Sequence, residues 1–243
     1  MTKLIWANIR KVFKIFGIEI SRFSPAAVPL AQLLESMRLM NANIVFDIGA
    51  NTGQFASELR SHGYKGKIVS IEPLSSARKL LLQSAIDDKQ WDVYDQVVVG
   101  DHEGKIEINI AGNSVSSSVL PILDTHTSAE QGSSYIGKET VVITTLDTIV
   151  SHYIVSDISI FVKIDTQGFE WQVLEGARET LKLANGVLCE LSLVPLYEGQ
   201  KLWREIIDRL EGEGFTLWAI QKGFTHPQNG RTLQIDAIFL RLR

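Results

Sequence analysis

The stretch FVKIDTQGFEWQVLEGA (161–177) gathers ionisable and turn-forming residues where an apolar strand gives way to a helix. Lys163 and Asp165 stand two apart, so the period-2 alternation of a strand puts them on one face. Charges at the end of an apolar strand are costly unless they are paired or functional. Glu170 falls in the first helical turn, where the helix dipole favours an anion. Glu190 sits among Leu188, Leu191 and Leu193 in the next strand. A carboxyl there has its pKa raised by burial, which suits it to base work or metal ligation, or it pairs with Lys163. Asp165, Lys163 and Glu190 form the candidate catalytic set: Asp165 as first choice to take a proton, Glu190 as second, and Lys163 to orient the carboxylate or the acceptor. The plainer reading is a lysine–carboxylate network that braces the turn.

A second cluster is VFDIGANTGQFA (45–56). Asp47, Gly49, Asn51 and Gly53 lie where a buried strand turns into a helix. Ligands of doubly wound sheets bind at such strand ends. The glycines are spaced G-x-x-x-G, so the G-x-G-x-x-G cradle for a pyrophosphate is missing. This argues against a nicotinamide oxidoreductase. A ligand with an amino-acid end and a nucleoside end but no phosphate fits better, which describes S-adenosylmethionine. Glu72 ends the next strand, 23 residues after Gly49, where a carboxylate accepts from ribose hydroxyls. Gly100 and Asp101 end the third strand and are placed at the adenine edge. Asp47, Glu72 and Asp101 would then surround a cationic sulfonium with three carboxylates.

The elements that must position these residues are visible in the pattern of the chain. Its 243 residues suffice for one large α/β domain. NIVFDIG (43–49), KIVSIEP (67–73), VYDQVVVG (93–100), SIFVKID (159–165) and GVLCELSL (186–193) are predicted strands. Helices are predicted over 30–41, 53–62, 75–86 (with Ser75 as cap), 169–183 and 199–213. EGKIEINIAG (103–112) alternates like a half-buried antiparallel strand, and 139–150 gives a strand and a short helix. FTLWAI (215–220) and LQIDAIFLRL (233–242) read as a late antiparallel pair. The alternation predicts a doubly wound, mainly parallel Rossmann-like sheet with an antiparallel edge strand. Residues 113–137 are rich in Ser, Gly and Thr, an irregular stretch long enough to serve as a lid.

Residues 1–24 carry a net charge of +4, which leaves −8 for the rest of a chain whose total is −4. The acidic body argues against a nucleic-acid partner. In the basic segment, Leu4, Ile5, Ile9, Val12, Phe13 and Phe16 recur at helical spacing among Lys3, Arg10, Lys11 and Lys14. Such an amphipathic helix lies on an anionic membrane face or docks on protein, for instance in a homo-oligomer. It lacks the features of a cleaved signal peptide. Pro25 and Pro29 separate it from an accessory helix, giving an expected division into 1–24, 25–42 and a 43–243 catalytic domain. No apolar run approaches a membrane span. The one cysteine, Cys189, fits a reducing, cytoplasmic compartment, at the inner membrane face if the basic helix is an anchor. No C-x-x-C, H-x-x-x-H or G-x-S-x-G spacing exists, so neither a zinc site nor a serine-hydrolase elbow is expected.

Four blocks in order resemble the FkbM family of S-adenosylmethionine-dependent methyltransferases: VFDIGANTGQF (45–55), IEP (71–73), VVGDHEGKIEI (98–108), and VKIDTQGFEWQVLEGA (162–177) with LCEL (188–191). The fourth is the most specific. The resemblance implies a class I methyltransferase fold, S-adenosylmethionine as cofactor and O-methylation of a sugar, surface-glycan or other natural-product hydroxyl. It also implies that the Ser116–Ser118 run lies near cofactor or acceptor. A lipid-linked glycan acceptor would suit a basic N-terminal helix. The family pattern has Glu where this chain has Gln167, so a divalent metal, though compatible with the carboxylates, is not expected. The alternative is a non-catalytic module that binds a glycan or a partner on the same fold.

Overall fold

The computed structural model describes residues 2–242, without the side chains of residues 2–5. The expected contributions of Lys3, Leu4 and Ile5 to the first helix therefore lie outside the described side chains. The chain divides into two units, one ending at Glu35 and the other beginning at Ser36. The first holds α1 (Thr2–Ile15), followed by a turn at Gly17 that brings the Ile18 N–H back to the Phe13 carbonyl. α2 (Pro29–Leu39) carries the chain across the boundary.

The second unit is built on a seven-stranded sheet of order β3-β2-β1-β7-β8-β10-β9. Its strands are β1 (Ile44–Ile48), β2 (Lys67–Ile71), β3 (Trp91–Val93), β7 (Ile160–Ile164), β8 (Ala184–Ser192), β9 (Thr216–Lys222) and β10 (Gln234–Leu240). All are parallel except β10, which pairs antiparallel with β8 and with β9. The antiparallel strand thus lies one place inside the expected edge. After α9 (Trp203–Gly212), β9 takes the edge, and β10 returns into the gap beside β8.

The central strands β1 and β7 are buried at every position because helices cover both faces. α3 (Gln54–Ser61) buries Ala56 and Leu59, and α4 (Ser75–Ala85) buries Ala77, Leu81 and Ala85. Ser75 is the first residue of α4 rather than its cap, and its hydroxyl donates to Glu139. The helix expected over 169–183 is two, α7 (Glu170–Glu175) and α8 (Arg178–Leu183), separated at Gly176.

The third predicted strand is also two. β3 ends at Val93 on the main sheet, while β4 (Val97–Gly100) leaves it for a three-stranded sheet of order β4-β6-β5. β5 (Gly104–Ala111) pairs antiparallel with β6 (Tyr135–Thr145), which leads into α6 (Leu146–Ser151). The irregular stretch between β5 and β6 contains only the short α5 (Asp124–Thr127). Among the described residues, no helix is long and apolar enough to cross a membrane.

Candidate active site

The ends of β1, β2, β7 and β10 open on a cavity of about 380 Å³. From Glu72 after β2 to Asp236 on β10, its lining crosses four strand spacings, roughly 19 Å. Val97, Val98 and Val99 of the smaller sheet and Leu74 supply apolar wall. Ser114, Val115, Ser117 and Val119 enter from the irregular stretch.

Beneath the cavity floor lies Asp47, fully buried. The register of β1 and β7 sets it beside Lys163. The Lys163 ammonium is 3.2 Å from Asp47 Oδ1 and 3.5 Å from Asp165 Oδ2, and it donates to the Gly49 carbonyl at 2.9 Å. Burial opposes its charge, but Asp47 and Asp165 outweigh burial and raise its pKa. The lysine is therefore a fixed cation. Ser70 donates to Asp47 Oδ2 and receives the Trp91 indole N–H, which closes the buried network.

Gly49 lines the cavity with a φ of 77°, and a Cβ there would overlap the carbonyl of Asp165. Its lack of a side chain lets the ends of β1 and β7 meet. Asn51, also in the left-handed region with φ 47°, lines the cavity and donates through its amide to Ser114 Oγ. Glu72 is buried at the cavity wall and accepts the N–H groups of Asn51 and Leu74, each at 2.8 Å. Burial raises its pKa to about 7, against the pull of those two N–H groups and of Lys163.

At the other end, Gln167 organises the carboxylates. Its Nε2 donates to Asp165 Oδ1 at 2.8 Å and to Glu190 Oε2 at 2.9 Å, while its Oε1 accepts from the Tyr197 hydroxyl. Gln234 donates to the same Glu190 oxygen at 2.6 Å. Burial, then Asp165, Glu170 and Asp236, push Glu190 well above the usual carboxylate range. Asp236 faces Glu190 across the β8–β10 ladder and lines the cavity. Burial and Asp165 raise its pKa to about 6. Glu170 accepts from the N–H groups of Thr166 and Gly168 and ties the turn together. Among the described residues, no group of three or more His, Cys, Asp or Glu is arranged to hold a metal.

The structure thus brings Gly49, Asn51, Glu72, Lys163 and Asp165 to one cavity and leaves other expected residues off its wall. Asp47 lies below it as the counter-ion of Lys163. Gly53 caps α3 and packs against Leu81 and Trp91. Glu190 stands behind Gln167 and Gln234 rather than paired with Lys163. Gly100 and Asp101 do not line the cavity, although Val97–Val99 of the same strand do; Asp101 is at an exposed turn against His102. Of the three carboxylates expected around the ligand, only Glu72 is on the wall.

Asp236, Gln234 and Tyr197 escaped the sequence reading. Gln234 and Asp236 alternate with Ile235 and Ala237 in LQIDAIFL, the same signal that singled out Lys163 and Asp165. Tyr197 follows β8 in a loop and carried no such pattern.

Comparison with solved structures finds distant likenesses. Magnesium protoporphyrin IX methyltransferase (ChlM) from Synechocystis PCC 6803 with bound SAM is 10% identical, with a TM-score of 0.48, over 88% of this chain and 76% of that one. An rRNA methylase from Streptococcus thermophilus is 13% identical, with a TM-score of 0.45, over 93% and 100%. Comparison with curated proteins finds no match. The profile of the methyltransferase FkbM domain matches residues 47–217, which takes in the end of β1, the Glu72 turn and the 161–177 block. The chain belongs to the FkbM methyltransferase family and has its doubly wound, Rossmann-like fold.

Proposed function

We propose that the protein is an S-adenosylmethionine-dependent O-methyltransferase acting on a hydroxyl of a sugar, a surface glycan or another natural product. The observation that carries this reading is the distribution of groups along one cavity. Its β1–β2 end has the left-handed turn of Gly49 and Asn51 and the Glu72 carboxylate. Its far end has two carboxylates, Asp165 and Asp236.

The residues fit the cofactor. Each Glu72 oxygen spends one lone pair on a backbone N–H and keeps another for a ribose hydroxyl. The apolar wall of Leu74 and Val97–Val99 suits a nucleobase. When bound, S-adenosylmethionine supplies an electrophilic methyl group on a sulfonium. The chain's own task is to hold an acceptor hydroxyl in line, exclude water and take its proton. Asp165 is steadied by a hydrogen bond from Gln167 and by the nearby Lys163 ammonium, which fix its orientation. The Asp236 carboxyl lines the same cavity, where it can meet an acceptor hydroxyl. We assign proton acceptance to this pair and acceptor orientation to Lys163 and Asp165, with a reducing cytoplasmic setting that suits the free, buried Cys189.

Calorimetric titration with S-adenosylhomocysteine tests the reading. Micromolar binding that Glu72→Ala abolishes is expected, followed by label transfer from S-adenosylmethionine to hydroxylated glycosides. Absence of binding at millimolar ligand would overturn it.

A further inference from the structure

We propose that α1 and the turn after it form an anchor that seats the protein on an anionic lipid surface. Ile9, Val12, Phe13 and Phe16 recur at i, i+3, i+4 and i+7, the spacing of one helical face. They are exposed, with Val12 at 53%, Phe13 at 40% and Phe16 at 74%. Exposed apolar side chains in such a row mark an interaction face rather than scattered surface residues. Arg10, Lys11 and Lys14 occupy the opposite arc, and α1 contains no acidic residue.

The turn back at Gly17 adds to this arrangement. It places Ile18 and Glu19 beside Arg10, Lys11 and Lys14, which together line one hollow. The only acid there, Glu19, meets Arg10 at 3.8 Å with both side chains well exposed. Such a pair neutralises little in water. The hollow therefore offers net positive charge at the level where lipid phosphates lie when the Phe13 face enters the acyl boundary.

Charge decides the occupant. An anionic leaflet complements the cationic arc while its acyl region takes the apolar one. A second copy of this helix would bring four further cations. The anchor is independent of the methyltransferase reading, since it uses no residue of the cavity.

The test is co-sedimentation of the full chain with vesicles of phosphatidylcholine alone or mixed with phosphatidylglycerol. Binding to the mixed vesicles, weakened by salt, is expected. Lys11→Glu/Lys14→Glu should lower partitioning at least about tenfold. Phe13→Ser/Phe16→Ser should abolish it with the charge intact. Circular dichroism and S-adenosylhomocysteine affinity of the variants report folding separately. Equal binding to neutral vesicles, unchanged binding of either variant, or a dimer that Phe13→Ser/Phe16→Ser dissociates without vesicle binding by the parent chain would each overturn the proposal.

Discussion

The ammonium of Lys163 stands 3.2 Å from Asp47 Oδ1, with the lysine side chain 8% exposed and the aspartate wholly buried. Each charge is tolerable only because the other is present. Lys163→Met should therefore cost about 3–5 kcal/mol, seen as a lower urea midpoint. Adding Asp47→Asn should recover more than half of that loss, since it removes the stranded charge. A double variant no better than the single one would show that the pair is not energetically coupled.

Gln167 is the donor that bridges two carboxylates, Asp165 after β7 and Glu190 on β8. Gln167→Glu replaces that donor with a third acid. The variant should lose about 1–3 kcal/mol at pH 8 and much less at pH 5, where a proton substitutes for the missing N–H. Melting curves at the two pH values check this, and equal losses at both would refute it.

Glu170 and Glu72 both have pKa values raised by burial from 4.5 to about 7. A raised acid favours the protonated fold. Its contribution is complete below about pH 4.5 and is lost as pH climbs through 7. Thermal stability should fall from pH 5 to pH 8 beyond what surface charge explains. Glu170→Gln keeps the acceptor oxygen for Thr166 and Gly168 and should flatten the slope by roughly 3 kcal/mol at most.

Asp236 ionises near pH 6. If it takes the acceptor proton, kcat/KM should rise as pH passes through about 6. Asp236→Asn should remove that limb and lower kcat by about 100-fold, with S-adenosylhomocysteine affinity unchanged. A limb retained in Asp236→Asn would overturn this assignment.

What the sequence made legible was local. The apolar runs into Gly49 and Asp165, and Glu72 after a strand, are short-range patterns, and all three residues reach the cavity. Lys163 was legible for the same reason, as a charge two residues from another in a buried strand. Asp47 shared that signal, but its side chain points to a neighbouring strand, which depends on register. Gly100 and Asp101 lie beyond the lining valines of β4, a strand whose separate pairing was not legible because Tyr94–Gln96 interrupt what reads as one strand. Asp236 needed the antiparallel return of β10, a pairing between residues 44 apart in the Glu190–Gln234 contact. Long-range register carries no composition mark, which is why half of the polar end stayed hidden.

Gly176, at the break between α7 and α8, sits so close to the Gly100 carbonyl that a Cβ would overlap it. Gly100 ends β4, and β4 supplies Val97–Val99 to the cavity wall. The fit of the α7–α8 break against β4 therefore bears on where that wall stands, with one glycine allowing the close approach. A bulkier residue at 176, which does not line the cavity, would have to push β4 and its valines aside. The wall is in that sense held by a seam, and it can be moved without altering any residue that lines the cavity.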